Sequence, residues 1–176
     1  AEAAREGRLL KYADIAGKET DESFDLEDIM KELDALIGLE GVKKNIRALA
    51  AGVRREQMLC KAAGRTPHLI AEHYQFLGNP GTGKTTVARL MGRMLYALGL
   101  LSRPDVIEVG REDLVGRFQG DSAIQTKDAV MRAMGGVLFI DEAYSLNTGR
   151  GDSFGHECIN TLVPLLENNR GKFVCI

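Results

Sequence analysis

Several features that would decide the class of this chain at once are missing. No apolar run approaches the 18 residues of a membrane-spanning helix, so none is expected. No segment reads as a signal peptide. Cysteine is scarce and odd in number: Cys60, Cys158 and Cys175 are widely spaced and fit neither a disulfide framework nor a zinc pattern. They read as small buried hydrophobes in a reducing setting, with Cys60 the one open to exposure, and the cytoplasm or an organelle interior is the expected location. A charge excess is also missing. A net charge of −2 leaves no footprint for nucleic acid or an anionic membrane, so neither is expected as a partner. There is no internal repeat and no Asn-Lys-x-Asp stretch of the kind that reads guanine.

What remains is an ordinary globular composition, 44% hydrophobic and 27% charged over 176 residues, enough for one sizeable domain and an appendage. The chain begins at Ala1 rather than Met and ends inside the apolar run 173–176, so both ends are expected to be cut from something longer. Residues 1–25 read as a linker or the end of a preceding domain, with a short helix open to 3–12 and an exposed acidic stretch at 14–23. Residues 26–176 read as the core.

The most informative stretch is Gly78-Asn-Pro-Gly-Thr-Gly83-Lys84-Thr85, which fits G-x-x-x-x-G-K-[ST]. The run 73–77 before it (His-Tyr-Gln-Phe-Leu) reads as a short strand. The run 85–98 after it reads as a helix with Val87, Leu90, Met91, Met94, Leu95 and Leu98 inward, closed by Gly99. A strand, a Gly-rich turn and a helix N-terminus together make an anion site from backbone N–H groups and the helix dipole. The alternative, a Gly-rich turn with a surface lysine, does not explain that context.

The periodicity predicts helices at 25–37 (Leu26, Ile29, Met30 and Leu33 on one face) and 41–63 (Val42, Ile46, Leu49, Ala50 and Val53 as its stripe). Lys43, Lys44, Arg47, Arg54 and Arg55 read as a solvated face of the second, which Gly64 and Pro67 end. Val106–Val109 reads as a strand. Ser122-Ala-Ile-Gln125 has the form of a capping box opening a helix to about Met134. Val137–Ile140 is a continuous apolar run, as a strand buried on both faces requires. Asp152 or Ser153 caps a last helix with Ile159, Leu162, Val163 and Leu166 inward and a kink at Pro164. Residues 172–176 read as a fourth strand. The alternation predicts an α/β fold: a parallel sheet with helices on both faces, the three-layer αβα sandwich of a P-loop NTPase.

A P-loop alone binds phosphate; hydrolysis also needs a metal and an activated water. Asp141-Glu142 follows the apolar strand at its C-terminal edge, where open α/β sheets bind ligands. Chemistry suggests the roles. Backbone amides of Gly81, Thr82, Gly83 and Lys84 hold the β-phosphate, and the Lys84 ammonium neutralises the β- and γ-phosphates. The Thr85 hydroxyl and Asp141 hold Mg²⁺, and Glu142 polarises the attacking water as general base.

Gly78-Asn79-Pro80-Gly81-Thr82-Gly83-Lys84-Thr85-Thr86 with Leu138-Phe-Ile-Asp-Glu142 resembles the AAA+ ATPases, in which the Asn-Pro pair is typical. The stretches 36–43, 113–120, 135–144 and 166–170 narrow the resemblance to the CbbX/CfxQ group, which includes red-type Rubisco activases, and to relatives of the sporulation stage V protein K. The resemblance covers about residues 33–176. It implies ATP with Mg²⁺, adenine contacts from Ile37 and Gly38, and nucleotide contacts along 79–86. It also implies a homo- or hetero-hexameric ring with Phe118-Gln119-Gly120 as a pore loop gripping a client protein. Rubisco is a possible client, and the plastid stroma the location if the source is eukaryotic. Family members usually carry an aliphatic residue where Gln119 stands. Core packing of Ile37 and local packing of Phe118 are the plainer readings.

The family's fifth strand, sensor 1, arginine finger, helical lid and sensor 2 would follow Ile176, so the resemblance implies a core incomplete at its C-terminal side. Such a fragment would bind nucleotide weakly and hydrolyse it poorly. Arg150 and Arg170 are exposed candidates for subunit contacts. An ATP-dependent regulatory or assembly module is the alternative to a remodelling enzyme. A DEAD-type helicase is disfavoured by spacing and charge.

Overall fold

The computed structural model describes residues 25–118, 120–149 and 151–176. The expectations for residues 1–24, and for Gln119 and Arg150, lie outside them.

The centre of the fold is the run that sequence alone marks as doubly buried. β2 (Val137–Ile140) is buried at every position and pairs in parallel on both sides. On one side lies β1 (Val106–Val109), in register from Val106 opposite Val137 to Val109 opposite Ile140. On the other lies β3 (Val174–Cys175), with Val174 opposite Val137 and Cys175 opposite Leu138. Successive side chains of a strand point to opposite faces, and β2 divides its four residues accordingly. Val137 and Phe139 join Val174 and Ile176 in a core with α1 (Leu26–Ala35), α2 (Glu40–Ala62) and α3 (Lys84–Ala97). Leu138 and Ile140 join Val109, Phe173 and Cys175 in a second core with α4 (Arg111–Leu114), α5 (Asp121–Ala133) and α6 (Ser153–Asn168). The result is an α/β P-loop fold with helices on both faces of a parallel sheet. All three cysteines are buried, Cys60 included, and burial pushes the Cys175 thiol up to about 12.

Four local expectations change. The run 73–77 forms no strand ladder. The Tyr74 N–H donates to the Cys175 carbonyl at 2.9 Å, but the Cys175 N–H is accepted by His73 Nδ1 at 3.0 Å. An imidazole nitrogen thus takes the place of the backbone carbonyl that a parallel ladder would use. Ser122 does not cap α5, which begins at Asp121 after Gly120. The buried Ser122 hydroxyl instead accepts the Gly116 N–H at 3.1 Å. Val163 faces outward on α6, and Cys158 takes an inward position beside Leu162.

Lys43 leaves the solvated face assigned to it. It is 5% exposed, and its ammonium donates to the carbonyls of Asp34 at 3.1 Å and Leu36 at 2.6 Å, with Glu40 Oε1 at 3.5 Å. It thereby satisfies carbonyls at the C-terminal end of α1, where a cation also suits the helix dipole.

Candidate nucleotide site

The Gly-rich loop enters α3 through Gly83, whose φ of +82° only glycine adopts without strain. The Thr82 hydroxyl donates to the Asn79 carbonyl at 2.8 Å and ties the loop across its mouth. Lys84, the first residue of α3, donates to the carbonyls of Asn79 at 3.0 Å and Gly78 at 3.2 Å. Its ammonium therefore lies over the loop and not along the helix surface. Thr85 and Thr86 follow in the first turn of α3.

The carboxylate pair sits where burial ends. Asp141 continues the β1 pairing, its N–H donating to the Val109 carbonyl at 3.0 Å, yet its side chain is exposed. Asp141 Oδ1 accepts the Glu142 N–H at 3.0 Å. Glu142 has φ +51°, one of two non-glycine residues with positive φ among the described residues. Such a conformation is unfavourable for a side-chain-bearing residue and persists where its surroundings hold it. Next to it stands the Tyr144 side chain, 72% exposed, which lines the same cleft.

Two clefts meet at Lys84. One, of about 290 Å³, is mainly apolar and runs between α2 and α3 beside the loop, lined by residues including Val42, Ile46, Leu49, Phe76, Val87 and Met91. The other, of about 460 Å³, is lined by Gly78, Pro80 and Lys84 together with Asp141 and Glu142. An apolar slot joined at an ammonium to a carboxylate-lined cleft fits the chemistry of a nucleotide, with a flat base at one end and phosphates at the other. Among the described residues no group of three or more His, Cys, Asp or Glu side chains could hold a metal alone.

Of the residues predicted to touch adenine, Ile37 is 99% exposed and lines neither cleft. The core-packing reading of Ile37 is thereby overturned. Gly38 stands in the left-handed turn, φ +71°, that leads into α2. Phe118 is 73% exposed, so its local-packing reading is overturned too, and Gly120 at φ +92° opens α5 beside it. Arg170 pairs with Glu72 at 3.1 Å on the surface.

Sequence reasoning missed one feature beside the site. Arg111 forms a two-pronged ion pair with Asp152, 2.8 and 2.9 Å. The Arg111 guanidinium, with the Gly155 N–H and the Thr148 hydroxyl, holds the Asp152 carboxyl well below the usual carboxylate range. The capping role of Asp152 was readable, since it accepts the Gly155 N–H at 3.0 Å. The arginine, distant in sequence, gave no local signal.

A Gly-rich loop opening a helix, and an acidic pair at the C-terminal end of a parallel strand facing it, define a P-loop nucleotide-binding protein. The profile of the family described as "ATPase family associated with various cellular activities (AAA)" matches residues 74–176. The chain belongs to this family of ATP-hydrolysing enzymes.

Over 151 residues it is 44% identical to "Stage V sporulation protein K" of Bacillus subtilis, covering 86% of this chain and 47% of that protein. It is 46% identical over 154 residues to "Protein CbbX" of Cereibacter sphaeroides, covering 85% and 49%. With "Protein CfxQ" of Xanthobacter flavus it shares 43% over 179 aligned residues, covering 98% and 53%. The group resemblance read from the motifs is therefore shown. The chain spans about half the length of these curated relatives.

Proposed function

We propose that this chain is the Mg²⁺-ATP-hydrolysing core of a protein that works as a ring and remodels a client protein. One observation supports the hydrolytic reading: Lys84 and the pair Asp141-Glu142 line one and the same cleft. In this reading the loop amides and Lys84 hold the phosphates, with Asn79, Pro80 and Thr86 flanking them. Thr85 and Asp141 supply the protein oxygens for Mg²⁺, which when bound neutralises charge developing on the phosphates. Glu142 takes a proton from the attacking water. The apolar cleft between α2 and α3 takes the adenine, with Gly38 at the turn leading into α2 and Ile37 reaching the base from outside the cleft.

The remodelling half is supported by the group resemblance, in which Phe118 falls at the pore-loop aromatic, and by the exposure of Phe118 beside Gly120, which leaves its ring open to a partner. Gln119 completes that loop in the reading, and Rubisco is the client class the group resemblance suggests. Phosphate release by the full-length protein, with Mg²⁺-ATP and with excess chelator, tests the hydrolytic core. Turnover that depends on the metal supports it, and the absence of any ATP turnover points to a regulatory or assembly module.

A further inference from the structure

The segment that begins at Glu142 is held from outside the nucleotide cleft. Arg111 opens α4 directly after β1. Its Nη1 donates to Asp152 Oδ2 at 2.8 Å and its Nη2 to Asp152 Oδ1 at 2.9 Å. Nη1 also donates to the Ser145 carbonyl at 2.5 Å. The Ser145 N–H in turn donates to the Glu142 carbonyl at 2.7 Å. Two consecutive hydrogen bonds therefore lead from the guanidinium to the backbone of Glu142.

The anchor at the far end is firm. The Asp152 side chain is only 8% exposed, against 32% for Arg111. Besides the arginine it accepts the Thr148 hydroxyl at 2.8 Å and the Gly155 N–H at 3.0 Å. Gly155 itself lies against the turn: a Cβ there would come within 2.2 Å of the Leu146 carbonyl oxygen. The turn at Ala143–Leu146 is thus pinned between Arg111 on one side and the start of α6 on the other.

Arg111 lines a further cleft, of about 410 Å³, that shares Asp141 and Glu142 with the nucleotide cleft but does not include Lys84. It is placed to act on the carboxylates from behind, without touching the loop that holds phosphate. A bidentate arginine fixes distance and orientation together, which a lysine at the same place does not.

We propose that Arg111 is a positioning residue for Glu142. Through Asp152 and the Ser145 carbonyl it holds Glu142 in its left-handed conformation and so sets the aim of the carboxylate on the attacking water. The proposal rests on the reading of Glu142 as general base.

The test is a cycle of variants in the full-length protein: Arg111→Ala, Arg111→Lys, Glu142→Gln, and Arg111→Ala with Glu142→Gln. ATP turnover and the affinity for a fluorescent ATP analogue are read for each. Arg111→Ala is expected to lower kcat by roughly 10- to 100-fold, the effect of a misaimed catalytic group, with nucleotide affinity within about twofold of the parent. Arg111→Lys recovers part of that loss. In the Glu142→Gln background Arg111→Ala costs nothing further, because residues that act as a unit are not additive.

Equal proportional losses from Arg111→Ala in both backgrounds overturn the positioning role and leave the general base intact. So does a parallel fall of kcat and nucleotide affinity. A Glu142→Gln protein as active as the parent overturns the general-base reading itself, and the positioning role with it. If Arg111→Ala does not fold, Asp152→Asn carries the same cycle, since its one oxygen can still accept the Gly155 N–H while the two-pronged ion pair to Arg111 is lost.

Discussion

The ammonium of Lys84 lies 3.0 Å from the carbonyl oxygen of Asn79, across the Gly-rich loop from the helix that carries it. One side chain thereby lines both the apolar cleft and the carboxylate-lined one. Lys84→Ala is expected to cost nucleotide affinity about 2–3 kcal/mol, roughly 30- to 150-fold, from the loss of charge-assisted hydrogen bonds. Calorimetric titration of the full-length protein with ATP measures it. Unchanged affinity would remove the loop from the site.

Lys43 gives a stability prediction far from the phosphates. Its buried ammonium serves the Asp34 and Leu36 carbonyls at the end of α1. Lys43→Met keeps the length of the side chain but leaves those carbonyls without the donor. A loss of about 1–3 kcal/mol in denaturant unfolding is expected, against no more than about 0.5 kcal/mol for the exposed neighbour Lys44→Met. Equal effects of the two would refute the capping role.

Asp152 gives a pH prediction. Its folded-state pKa is depressed, first by the Arg111 guanidinium and then by the Gly155 N–H. A depressed carboxyl stabilises the fold above its unfolded value, about 3.9 for Asp, and loses that contribution as the pH falls below it. The difference in Tm between the parent and Asp152→Asn should be constant from pH 7 to 5 and shrink from about pH 4 downward. A difference that stays constant into acid would show that the carboxylate charge contributes nothing.

In the proposed reading, Phe118 would separate hydrolysis from work on a client. Phe118→Ala is expected to leave basal ATP turnover within about twofold of the parent, since surface substitutions rarely perturb the fold. It should abolish reactivation of inhibited Rubisco, used as the probe client. Equal reactivation by parent and variant would end the pore-loop assignment.

The fold was legible wherever burial is periodic. Val137–Ile140 announces a doubly buried strand, and the residues of α1, α2 and α3 announce their inward faces. The Gly-rich loop and Asp141-Glu142 were legible as local patterns, each set by the turn or strand edge it sits on, and the structure brings them to one cleft. What escaped depends on partners that no capping, turn or helical spacing connects. No local pattern shows that His73 accepts the N–H of Cys175 and interrupts a strand, or that Ser122 turns inward to Gly116. Nor could spacing reveal that Arg111 finds Asp152. Asp152 read as a helix cap, and its second role appears only when the end of β1 and the start of α6 are brought together.

The central claim, that Glu142 activates the water that splits ATP, is tested most directly by single-turnover hydrolysis in the full-length Glu142→Gln protein with nucleotide binding measured beside it. The expected result is ATP bound as tightly as by the parent and hydrolysed roughly 10²- to 10⁴-fold more slowly, the usual contribution of a general base. Hydrolysis at the parental rate would contradict it.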